Sequence, residues 1–95
     1  MTDVTVRVRY FNVLAAYAGA KRAEVKAPAG ITVRAFLYHL AEINPAAFRR
    51  ALMRDDSITS YLRVFQNEKL LAGQALDGPV KDGDELMLFP AIAGG

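Results

Sequence analysis

Gly94-Gly95 stands at the end of the sequence, and its α-carboxylate has no side chain beside it. A carboxylate is a poor electrophile. Once adenylated it becomes a good one, and a nucleophile can then displace AMP. Glycine has no Cβ and accepts any backbone conformation, which suits a segment that must enter a narrow channel. Side chains shrink toward this end through Ala91-Ile92-Ala93, and Ile92 is an apolar residue that a merely solvated tail has no need of. A frayed terminus that happens to end in glycine is the competing reading. The other reactive side chains are sparse. His39 is the one histidine, with Glu42 three residues on; together they make a poor metal site, and no metal ligands are assigned. Ser57, Thr59 and Ser60 have no local base, so no catalytic residue is assigned and an enzyme working alone is not expected. Asp55-Asp56 reads as a helix end or loop start, and Asp82 and Asp84 flank a turn glycine. Arg49, Arg50 and Arg54 suit either an acidic partner or a solvated helix face. No Gly-x-x-x-x-Gly-Lys-Ser/Thr pattern occurs, so activation with ATP belongs to another protein.

Composition removes further classes. The 95 residues contain no cysteine, which excludes disulfides, thiolate-bound zinc, iron–sulfur clusters and a cysteine nucleophile. Sulfur could not be carried as a side-chain persulfide either. The formal net charge is +2, and no basic stripe with interleaved aromatics marks a nucleic-acid surface. The longest uncharged run is too short for a bilayer, and no charged-then-apolar leader opens the chain. The expectation is a cytoplasmic protein with neither a nucleic-acid nor a membrane partner.

Elements to position that ending can be read from periodicity. Residues 4–10 alternate, with Val4, Val6, Val8 and Tyr10 on one face and Thr5, Arg7 and Arg9 on the other, which predicts a strand. Residues 12–18 predict a short helical turn ended near Gly19, and 23–26 a second strand that stops before Pro28. Thr32 is a candidate N-cap for a helix whose apolar face is Val33, Phe36, Leu37, Leu40 and Ile43. Asn44-Pro45 ends it and starts a shorter one with Phe48, Ala51 and Leu52 inward. Residues 61–66 and 69–71 predict a hairpin about Asn67-Glu68, residues 73–78 are irregular, and 85–89 form the last strand with Leu86 and Leu88 inward. The order is α+β, with the first and last strands paired in parallel at the sheet centre.

The ending Asp82-Gly83-Asp84-Glu85-Leu86, then Phe89-Pro90-Ala91-Ile92-Ala93-Gly94-Gly95, resembles that of the ubiquitin-like sulfur carriers of the MoaD/ThiS family. Val6 to Phe11 with Gly19 is similar to their first strand and turn, and Thr32-Val33 leading to Leu37 and Leu40 to their helix start. The resemblance implies a β-grasp fold: a mixed sheet packed on one main helix plus a short second helix. It implies a domain over residues 1–89 and a flexible tail over 90–95. Gly95 would be adenylated by an E1-like enzyme using ATP in trans, with no cofactor held by this chain. A sulfurtransferase or persulfide donor would convert it to a thiocarboxylate, and a sulfur-accepting synthase subunit would receive the sulfur. Pro90, Ala91, Ile92, Ala93 and Gly94 would thread into the partner's active site, and Phe11, Phe65 and Phe89 are candidates for a docking patch beside them. Ala91 replaces a second proline, and Ala15-Ala16 an Arg-Glu pair, of many molybdopterin-type members. The ending is more similar to carriers serving cysteine or other sulfur-metabolite synthesis, which leaves the pathway open between those two types. A protein modifier forming isopeptide bonds through Gly95, and a binding module with an inert tail, are the alternatives.

Overall fold

The structure, a computed structural model, describes residues 3–90. Strand β1 (Asp3–Tyr10) is followed by helix α1 (Val13–Ala18), strand β2 (Arg22–Pro28), helix α2 (Val33–Ile43) and helix α3 (Ala46–Leu52). Two short strands come next, β3 (Met53–Arg54) and β4 (Ser57–Ile58), then β5 (Arg63–Gln66), β6 (Lys69–Leu71), a 3-10 turn (Gly73–Asp77) and β7 (Glu85–Phe89). Five strands form one mixed sheet in the order β2-β1-β7-β5-β6. β1 and β7 run parallel at its centre and every other pair is antiparallel. This is the expected β-grasp arrangement.

The alternation of β1 does what its sequence dictates. Val4, Val6, Val8 and Tyr10 are buried against the helices, with Leu86 and Leu88 of β7 and Val64 of β5 beside them. Helix α2 covers this face with Val33, Phe36, Leu37, Leu40 and Ala41, and α3 adds Phe48 and Leu52. Tyr10 meets Phe48 edge-on at 5.3 Å between centroids. The Thr32 Oγ1 accepts from the Ala35 N–H at 3.1 Å, a side-chain cap without the reciprocal arm that a Glu at 35 would add. Gly19 closes α1 in the left-handed region at φ 77°, donating to the carbonyls of Ala15 and Ala16.

Four local expectations need correction. β2 runs through Pro28, which pairs with Asp3; at the last position of an edge strand the ladder loses nothing from a missing N–H. Ile43, the last residue of α2, is 54% exposed; Ala41 is buried instead. Within residues 73–78, Gly73–Asp77 form a 3-10 turn rather than irregular chain. Asp55-Asp56 forms the tight turn of the β3–β4 hairpin, with Asp55 at φ 57°.

The turn at Lys81–Asp84 fastens the sheet's other end. Asp82 Oδ1 accepts from the Thr5 N–H at 2.7 Å. Asp84 accepts from Gln66 Nε2 (2.9 Å), Asn67 Nδ2 (2.9 Å) and the Lys81 N–H (2.8 Å). Asn67 Oδ1 in turn accepts from the Glu85 N–H at 2.9 Å. One short segment thus ties β1, the β5–β6 hairpin and β7 together.

Candidate functional site

The helices cover one face of the sheet only. On the other face, period two brings out Arg7 and Arg9 of β1, Glu85, Met87 and Phe89 of β7, Arg63 and Phe65 of β5, and Leu70 of β6. The register sets these residues in rows. One row runs Arg22, Arg9, Met87, Phe65, Leu70 from edge to edge. Beyond it, Phe89 lies opposite Arg63, and Phe11 follows β1 immediately.

Phe11, Phe65 and Phe89 therefore meet. The Phe11 and Phe89 rings stack at 4.1 Å between centroids with 14° between planes, and Phe65 meets Phe89 edge-on at 5.5 Å. The Phe11 N–H donates to the Leu88 carbonyl at 3.2 Å, which fixes the backbone under the stack. All three rings are half-buried, Met87 is half-buried between them and Arg9, and Leu70 is 50% exposed. Sequence reasoning missed Met87 and Leu70. The alternation around Leu86 and Leu88 marked Met87 as outward, but only the cross-strand register shows that it joins the rings.

Arg9 lies along this patch. Its guanidinium carbon is 5.3 Å from the Phe11 centroid, and Nη1 donates to Met87 Sδ at 3.8 Å. Pro90, directly after β7, is buried. Ala91, Ile92, Ala93, Gly94 and Gly95 lie outside the described residues.

The remaining candidates are scattered. His39 is half-buried on α2, 6.3 Å from the Phe36 ring, and Glu42 is exposed. Among the described residues no group of three or more His, Cys, Asp or Glu side chains could hold a metal ion. Ser57 and Ser60 are exposed on the small hairpin and the loop after it, and Arg49, Arg50 and Arg54 are exposed at and beyond the end of α3. Among the described residues no helix is long and apolar enough to cross a membrane.

The sequence matches the family model for the ThiS family over residues 8–95. The chain belongs to the ThiS family. The match runs from the end of β1 through the rest of the sheet and the aromatic patch to Gly94-Gly95. Members of this group are ubiquitin-like small sulfur carriers and modifiers, and this chain is one of that group. It is similar to SAMP1 of Haloferax volcanii, with 30% identity and a TM-score of 0.80 over 96% of this chain and 99% of that one. It is also similar to a chain in the BexX/CysO complex of Amycolatopsis orientalis, with 28% identity and a TM-score of 0.72 over 95% and 99%. A chain in the complex of subunits 1 and 2 of the molybdopterin-converting factor from Helicobacter pylori shares the fold, at 24% identity and a TM-score of 0.57 over 97% and 100%. No curated protein sequence matches significantly.

Proposed function

We propose that this ThiS-family chain carries sulfur as a thiocarboxylate on Gly95. The observation that carries the reading is the family match, which runs through residue 95 and so includes the Gly-Gly ending. The Gly95 carboxylate oxygen attacks the α-phosphate of ATP held by an E1-like enzyme, and pyrophosphate leaves. A hydrosulfide or persulfide sulfur then attacks the carbonyl carbon and AMP leaves. When the donor is a persulfide, the product is an acyl disulfide, which a thiol cleaves to the thiocarboxylate and is itself oxidised. The aromatic patch docks the partner, and residues 90–94 thread Gly95 into its active site. A synthase subunit accepts the sulfur.

Mass spectrometry tests this directly. Incubation with the E1-like enzyme of the same organism, ATP and a sulfur donor should add the mass difference between sulfur and oxygen. Removal of Gly94 and Gly95 should abolish the gain. An unchanged mass for the full chain, with the enzyme shown to be active on ATP, would sink the proposal.

The 30% identity to SAMP1, a small archaeal modifier protein, favours a second use of the same terminus. There a lysine amine displaces AMP in place of sulfur and an isopeptide bond forms. Gly-Gly remnants on lysines of cell proteins after proteolysis would reveal it, and their absence would leave sulfur transfer as the one role.

A further inference from the structure

The charges on the open sheet face are sorted along β7. At the start of the strand, Arg7 stands opposite Glu24 on one side and Glu85 on the other, and Asp82 and Asp84 lie in the turn just before. One row further, the balance is gone. Arg9 stands directly opposite Arg22, with Met87 on its other side. Lys21 lines the same shallow cleft as Arg9, Phe11 and Arg22. Arg63 flanks the patch from the other side, opposite Phe89. Among the described residues the ion pair found is Arg34–Asp77, at the far edge of the molecule from β2, so these four cations are not paired there. Like charges directly opposite on neighbouring strands are destabilising, and among the described residues Arg9 meets a ring face and a thioether.

We propose that this basic, aromatic end of the open face docks an acidic protein surface, with carboxylates around an apolar recess that receives Phe11, Phe89 and Met87. This rests on the carrier reading and names the chemistry of its partner. Charge complementarity of this kind orients an approaching partner and speeds encounter. It would aim the end of β7, and the segment beyond Pro90, at that partner. RNA fits the face less well. The Phe11 and Phe89 rings cover each other at 4.1 Å instead of presenting free faces to bases, and Glu24 and Glu85 bar the next row to a phosphate chain.

Two measurements test the proposal. In the first, poly-L-glutamate is titrated at low salt into the isotope-labelled full chain. The side-chain Nε–H signals of Arg9, Arg22 and Arg63 should move, and those of Arg49, Arg50 and Arg54 should not. Movement confined to the latter set, or none, overturns the proposal. Tighter binding of poly(U), with ring-current shifts of the Phe11 and Phe89 protons, assigns the face to RNA and overturns it as well. In the second, binding to the E1-like enzyme is measured against salt. Arg9→Glu with Arg22→Glu should weaken it about tenfold or more, and Arg49→Glu with Arg50→Glu should not. A normally adenylated wild type with no effect of the Arg9 and Arg22 reversals removes this proposal alone. A wild type that is never adenylated removes the carrier reading, and the glutamate titration still decides this one.

Discussion

Phe89 is the residue on which the patch turns, because it alone touches both other rings. Fully buried phenylalanine costs about 3–5 kcal/mol when cut to alanine, so the half-buried Phe89→Ala should cost about 1–2 kcal/mol in urea unfolding. Its adenylation by the E1-like enzyme should fall by at least about tenfold, since aromatic anchors dominate small interfaces. Equal and minor losses in both assays would mark the ring as packing alone. Asp84 works differently. Burial pushes its carboxyl up, but hydrogen bonds from Asn67, the Lys81 N–H and Gln66, with the Lys81 charge, outweigh that and hold it below its ordinary value of 3.8. A carboxyl lowered in the folded state stabilises the fold above the unfolded value, and that contribution is lost as pH falls through the folded one. Asp84→Asn should therefore lower stability at neutral pH by about 1 kcal/mol, given its partial exposure, and the difference should shrink below pH 3.8. Urea titrations of both proteins across acid pH check it; a constant gap would rule out the charge as the cause. The three phenylalanines were legible as a group through family resemblance. Arg9 was legible only as outward, because its like-charged neighbour Arg22 belongs to another strand and enters through register.

At the scale of elements, the β5–β6 hairpin shows where sequence reading succeeds and where it stops. Asn67-Glu68 announced a two-residue turn, and the structure has both residues at positive φ, 50° and 72°. That is the type I′ geometry, which favours Asn followed by Gly. Glu68 has a Cβ in the left-handed region, at a cost of about 1–2 kcal/mol; glycine gives back about 0.4–1 kcal/mol through its freer unfolded chain. Glu68→Gly should thus stabilise the fold by about 0.5–1 kcal/mol. A raised thermal midpoint would show it, and a lowered one would mean the Glu68 side chain holds the turn in another way. The β3–β4 hairpin was not legible, since strands of two residues are too short to display a period. Pro28 misled for a related reason. A proline argues against a central strand, and only the sheet order reveals that β2 is an edge. Ile43 fits the helical period of α2, but the period cannot say where along the helix burial stops, and Ile43 is its exposed last residue.

Across the whole molecule, a net charge of +2 conceals an uneven open sheet face: Glu24, Glu85, Asp82 and Asp84 mix with Arg7, Lys26 and Lys81 near the start of β7, and Arg9, Arg22 and Arg63 lie near its end. The apolar core lies on the opposite side of the sheet, and among the described residues its members run from Val4 to Leu88. Scaffold and proposed reactive end are thus separate in the chain, which leads to a test of their independence. Leu86, fully buried at the sheet centre, should cost about 2–5 kcal/mol as Leu86→Ala and shift urea unfolding accordingly. Removal of Gly94 and Gly95 should change unfolding by less than about 0.5 kcal/mol, as for surface changes away from core, caps and networks. The same truncation should abolish thiocarboxylate formation. Leu86→Ala should still accept sulfur at temperatures where it is folded, because the proposed chemistry needs only a folded face and an intact end. A truncated chain of markedly lower stability would make the last two residues part of the scaffold, and its inactivity could then no longer be assigned to loss of the acceptor carboxylate.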